Sequence, residues 1–138
     1  MAISKKISWI EGERLLRSAG KRSEAIALLR QEISKNNRLA AKIVLATMYG
    51  ADAGLSDTEI DRIIDDAERE VKDSDVDAHR ELYRAYEMYI GGCSPELKPH
   101  LAFKHLLVVA KNGNNALDAF AVANHFQYGN QVTPPNLF

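Results

Sequence analysis

The chain is poor in cysteine, in tryptophan and in uninterrupted apolar sequence, and each shortage excludes a class of protein. One cysteine, Cys93, among 138 residues leaves no internal disulfide framework and no C-x-x-C pair for a metal or redox centre. No window approaches the ~18 continuous apolar residues of a membrane span, and MAISKKISWIEGE holds no apolar run of signal-peptide length before Glu11. These absences set the expectation of a cytoplasmic protein with no membrane partner. Trp9 is the one early aromatic in a basic first third, too little stacking surface for a nucleic-acid partner to be expected.

What is present is an ordinary mix, 46% hydrophobic and 27% charged, with length for one domain and one core. The net charge of −1 conceals a strong polarity. Residues 1–44 carry ten Lys/Arg against four Asp/Glu, residues 52–77 carry three against eleven, and residues 78–138 carry five against four. Such asymmetry bears on the steering of partners rather than on the fold.

Apolar spacing and capping residues predict an all-α chain. Ser8 and Glu11 have capping-box spacing ahead of a helix over Trp9 to Ala19, closed by Gly20. Ser23-Glu24 opens a second helix that breaks at Asn36-Asn37, and a third follows with Leu39, Ile43, Ala46 and Tyr49 on one face. Ser56 with Glu59 caps a fourth, which carries Ile60, Ile63, Ile64, Ala67 and Val71. The stretch from Asp77 to Gly113 supplies a fifth and a sixth around a Gly-Gly, Ser-Pro and Lys-Pro loop. Asn115 and Asp118 start a seventh, which runs to Gly129 ahead of Pro134-Pro135.

Laid side by side, the helices repeat. Leu39, Ala78 and Ala116 correspond, as do Ile43, Leu82 and Phe120, then Ala46, Ala85 and Ala123, then Tyr49, Met88 and Phe126, in steps of 39 and 38 residues. In the even-numbered helices Ala25, Ile63 and Ala102 correspond, with Leu29, Ala67 and Leu106, and with Ile33, Val71 and Ala110. The units are about 8–37, 38–75 and 76–113, a partial one at 114–129 and a tail at 130–138.

At these residues the chain resembles the Sel-one-like repeat family, relatives of tetratricopeptide repeats. Ala46-Thr47-Met48-Tyr49, Ala85 to Met88 with Gly91, Ala123 to Phe126 with Gly129, and Ala102 to Ala110 with Gly113 carry the likeness. The first unit looks like a tetratricopeptide through Trp9, Leu16, Ala25 and Leu29. Asp52 stands where the family's loop glycine is expected, Val71 where an alanine is, and Glu13 where the first unit wants a small residue. The resemblance implies a short right-handed superhelix of about three and a half helical pairs, with the odd-numbered helices lining a concave inner surface. A seventh helix without its mate leaves an apolar edge for Val132, Leu137 and Phe138 to cover, or for a second copy in a homodimer.

No constellation for catalysis is visible, so neither an enzyme nor a cofactor is expected. His100 and His105 are five apart, off the i, i+3 or i, i+4 spacing of metal pairs, and His79 and His125 lie on other helices. They read as satisfied or solvated histidines, and Cys93 as a loop thiol without an activating neighbour. Two surfaces remain. Tyr83 and Tyr86, with Arg80, Arg84 and Glu87 around them, lie beside the apolar stripe of the fifth helix, where either packing between neighbouring helices accounts for them or, as the resemblance implies for the concave face, they stand on the exposed side as anchors for a bound segment. Asp57, Asp61, Asp65 and Glu68 share one face of the fourth helix, a solvated stripe that suits a basic partner. The reading is a non-catalytic adaptor or scaffold that binds a protein or peptide on its concave face. The alternative is a small bacterial immunity or inhibitor protein that neutralises a toxin or enzyme through its charged surface.

Overall fold

The computed structural model describes residues 8–113. Ser8 begins the order: its hydroxyl accepts from the Glu11 amide and caps α1, Trp9–Ser18. Gly20, with φ of 75°, then turns the chain into α2, Arg22–Asn36. Asn37 ends α2 in the left-handed region and α3 begins at once, Leu39–Val44. Ser56 opens α4, Asp57–Glu70, with both halves of its capping box formed, an arrangement worth about 1 kcal/mol. Asp75 caps α5, Val76–Glu87, by accepting from the Ala78 amide. The last described helix, α6, Lys98–Gly113, starts four residues before Ala102, with Pro99 in its first turn where no helical amide is needed. No strand occurs among the described residues. The expected seventh helix and its tail lie outside them.

The third helix departs from expectation. Its α-helical part stops at Val44, and Leu45–Tyr49 continues as a wider π-turn before a 3-10 turn, Gly50–Ala53. The Thr47 hydroxyl donates to the Ile43 carbonyl at 2.9 Å, a side-chain bond that competes with the regular ladder. The wider turn sets Tyr49 inward, buried on the α2 side.

Packing follows from α3, which is buried nearly all round. Ala40 and Ile43 join Ile64, Ala67, Ala78, Leu82, Ala85, Tyr86 and Ala102 in one core cluster. Ala41, Val44, Leu45 and Tyr49 join Ala25, Leu29 and Ala53 in the other. The helix therefore packs against α2, α4 and α5 at once, while α1 packs on α2 and α5 on α6. Positions that the sequence reading pairs share burial where small or branched residues meet: Ile43 with Leu82, Ala46 with Ala85, Leu29 with Ala67 and Leu106. Two sets diverge. Ile64 rather than Ile63 takes the buried place on α4, and Met88 is 45% exposed where Tyr49 is buried, because α5 has already ended at Glu87.

That ending contains a strained residue. Tyr89 has φ of 59°, and around it the Ile90 amide donates to the Ala85 carbonyl at 2.9 Å and the Tyr89 amide to Tyr86 at 3.0 Å. This is the helix stop that closes α1 at Gly20, but with tyrosine in the position that glycine normally fills. The Tyr89 side chain is 55% exposed, so little packing compensates. Tyr89→Gly is expected to stabilise the protein by up to about 1 kcal/mol, strain relief less the added freedom of the unfolded chain. A raised urea midpoint checks it.

Candidate functional site

The helices α1, α3 and α5 present one shared face. Trp9, Ile10, Glu13, Arg14 and Arg17 from α1 meet Val44 of α3, Met48 of the π-turn, and Glu81 and Arg84 of α5 around a depression of about 10 Å³. The depression is nearly filled. Its two carboxylates are buried, with guanidiniums above them: Arg17 Nε stands 3.2 Å from Glu13, and Arg84 Nη1 3.1 Å from Glu81. Burial raises the Glu81 carboxyl, and the charges of Arg84, Arg14 and Arg80 work against that rise. Arg14 is exposed on this face, so its outward character is cationic and aromatic.

Glu13 is held from beneath as well. The Tyr49 hydroxyl, set inward by the π-turn, donates to Glu13 Oε2 at 2.5 Å. Burial, together with that bond and the Glu13 charge, pushes the Tyr49 hydroxyl up to about 12. Arg22 lies 4.8 Å above the Tyr49 ring, and its Nε donates to Asp52 at 2.8 Å. The two residues here that depart from the expected pattern, Glu13 and Asp52, thus meet partners that α2 and the π-turn bring to them.

On the other side, the acidic stripe of α4 divides. Asp57 and Asp61 line an open groove of about 470 Å³ with Met48, Tyr49, Ile60 and Ile90, and no basic residue lines it among the described residues. Further along, the stripe turns inward. Asp61 accepts from the Gly91 amide at 3.2 Å and Asp65 from the Gly92 amide at 3.1 Å. A Cβ on Gly92 would sit 2.5 Å from an Asp65 oxygen, so a larger residue there would push the carboxylate away from the amide it accepts from. Lys98 Nζ closes the same loop by donating to the Tyr89 carbonyl at 2.9 Å.

Glu68 ends the stripe in a polar chain between α4, α5 and α6. Its carboxylate accepts from Lys104 Nζ at 2.5 Å, from the Tyr86 hydroxyl at 2.8 Å and from His105 Nε2 at 2.7 Å. His105 Nδ1 faces His79 Nδ1 at 2.7 Å, and His79 Nε2 faces the Lys72 carbonyl at 3.0 Å. Burial opposes the charged form of Glu68, but the bonds from His105 and Lys104, the His105 charge and the Tyr86 bond outweigh it, and its carboxyl falls to about 2. Burial and the Glu68 bond raise the Tyr86 hydroxyl well above its ordinary value.

These placements correct the sequence reading at particular residues. Tyr86 is 2% exposed and stacked on His105, so it is a core residue and not an exposed anchor. Tyr83 is half-buried and packs against the same cluster. Of the other expected contact residues on α5, Arg80 pairs with Asp77 at 3.3 Å, Arg84 with Glu81, and Glu87 is exposed. On α4 the continuous solvated stripe is reduced to Asp57, with Asp61 half-buried beside it; Asp65 and Glu68 are drawn into the loop and the polar chain. His79 and His105 are satisfied histidines, as read, but their pairing was not foreseen. The available signal was their place on apolar faces, His79 ahead of Leu82 and Tyr86, and His105 between Ala102 and Val109.

Cys93 is half-buried in the α5–α6 loop, and burial raises its thiol, which disfavours the thiolate needed for nucleophilic chemistry. Among the described residues no group of three His, Cys, Asp or Glu is arranged to hold a metal ion, and no helix is long and apolar enough to cross a membrane. The fold and these surfaces define an all-α protein of packed consecutive helices. No protein-family model matches the chain, and neither a curated protein nor a solved structure matches it.

Proposed function

We propose that the protein is a non-catalytic interaction module, a short solenoid of Sel-one-like or tetratricopeptide-like helical pairs whose odd-numbered helices bind a segment of another protein. One observation carries this reading: α1, α3 with its π-turn, and α5 contribute side chains to a single face, with Trp9, Arg14, Arg17 and Arg84 over a filled floor. A filled floor suits an extended surface contact better than a small substrate, and aromatic and arginine side chains are the usual anchors of such contacts. The partner segment carries carboxylates. Polar atoms of Glu68, His79 and His105, the richest cluster of acid–base groups, are each bonded to other protein groups, which favours a structural use for them.

The test is a displayed library of random peptides selected on the immobilised full chain. Acidic sequences are expected to be enriched, and the double charge reversal Arg14→Glu with Arg84→Glu is expected to weaken them at least tenfold, about 1.4 kcal/mol. Enrichment that survives the reversal would overturn the reading. The groove beside Asp57 and Asp61 supports a second reading, an inhibitor that takes a basic, partly apolar segment there. Basic peptides lost on Asp57→Lys with Asp61→Lys would favour it instead.

A further inference from the structure

The polar chain between α4, α5 and α6 fixes how many protons its histidines hold. The Lys72 carbonyl can only accept, so His79 Nε2, 3.0 Å away, carries a hydrogen. The Glu68 carboxylate, which already accepts from Lys104 and Tyr86, also accepts from His105 Nε2, so that nitrogen carries a hydrogen too. What remains is the pair of Nδ1 atoms, 2.7 Å apart. With no proton between them two lone pairs face each other, and with two protons two N–H groups collide. Only one proton makes a hydrogen bond there. The rings then hold three protons on four nitrogens and one positive charge together.

We infer that His79 and His105 form a buried site for one proton, held between their Nδ1 atoms, and that this proton ties the α5–α6 contact to pH near neutrality. The surroundings suit a single charge. Glu68 and Asp65 face the cluster from α4, Asp73 and Asp75 from the α4–α5 connection, Tyr86 from α5, Cys93 from the following loop and Lys104 from α6. The Tyr86 ring lies 5.9 Å from the His105 ring and nearly parallel to it, at 12°, a placement that favours an imidazolium. His79 is held below its ordinary value by burial and then by the His105 charge, and the second of these causes is the resistance to a second proton that the geometry implies.

The direction of the pH effect follows from proton counting. Two independent histidines of an unfolded chain share, on average, one proton at a pH of about 6.5. The folded pair holds one as well, so there the pair neither gains nor loses protons on unfolding. At lower pH the unfolded chain binds more protons and stability falls as pH falls; at higher pH the folded pair binds more and stability falls as pH rises. The pair's contribution therefore peaks near pH 6.5.

Urea unfolding of the full chain from about pH 5 to about pH 8 reads this directly, as a midpoint that peaks near 6.5. The double variant His79→Gln with His105→Gln is expected to lack the peak. A difference between the two proteins that is flat, or that runs in one direction only, would overturn the site. Nitrogen-detected magnetic resonance of the labelled wild-type chain tests it without relying on a variant that folds. Both Nε2 atoms are expected in the protonated state while the two Nδ1 signals move together in shared steps. Rings that titrate as isolated imidazoles would refute the shared proton.

Discussion

Replacing Glu68 by alanine is expected to cost about 3 kcal/mol of stability, because it strips the acceptor from two enclosed donors at about 1–3 kcal/mol each. Three donors lose their acceptor at once: Lys104 Nζ, the Tyr86 hydroxyl and His105 Nε2. Lys104 is half-exposed and turns to water, but Tyr86 and His105 are enclosed and cannot. Their desolvation makes the loss large. Glu68→Gln keeps an oxygen for His105 and Tyr86 while pointing an amide at Lys104, so a smaller loss is expected. The effect has a pH signature. The Glu68 carboxyl sits at about 2 in the folded protein against an ordinary 4.5, so over that interval the folded state binds fewer protons. Its contribution is complete above 4.5 and is lost as pH falls through 2. Urea unfolding at several pH values should show wild type and Glu68→Gln converging across that window. A change of less than about 0.5 kcal/mol for Glu68→Ala at neutral pH, the size of an ordinary surface substitution, would mean that the three donors are satisfied elsewhere.

The same residue shows how far the sequence could be read. Helical period places Asp57, Asp61, Asp65 and Glu68 on one face of α4, and the structure keeps them there. Period says nothing of what covers that face. The Gly91-Gly92 loop lies over Asp61 and Asp65, and α6 over Glu68, contacts made across about 27 to 37 residues of sequence. Tyr86 was misplaced for a related reason. It lies three residues from Tyr83 and four from Leu82, and the side of α5 it occupies is closed by α4 and α6 rather than left open. Local signals fared better where the cause was local: the Ser56 capping box and the Asn37 break appear as read, and Ser8 caps α1 through its hydroxyl, the one half of its expected box that forms. The π-turn had no visible precursor beyond Thr47, whose hydroxyl has many other uses in a helix.

Glu13 departs from the pattern that the sequence resemblance leads one to expect. At Glu13 a small residue is expected, yet Glu13→Ala should destabilise the protein by about 1–3 kcal/mol, because the buried Tyr49 hydroxyl loses its acceptor and Arg17 its partner. Tyr49→Phe should cost about 1.5–3 kcal/mol, since Glu13, 3% exposed, then has Arg17 as its one bonding partner among the described residues. If the residues act as one unit, the double variant leaves neither a stranded hydroxyl nor a half-bonded carboxylate. It should then be more stable than the sum of the single losses implies, by a coupling of about 1–3 kcal/mol. Urea unfolding of the four proteins gives that coupling. Additive losses would mean that the 2.5 Å bond contributes little and that Glu13 is held by Arg17. A strong coupling would explain the π-turn too: without the extra residue, Tyr49 would not be set inward toward α1, and a glutamate at position 13 would be buried with a single bonding partner.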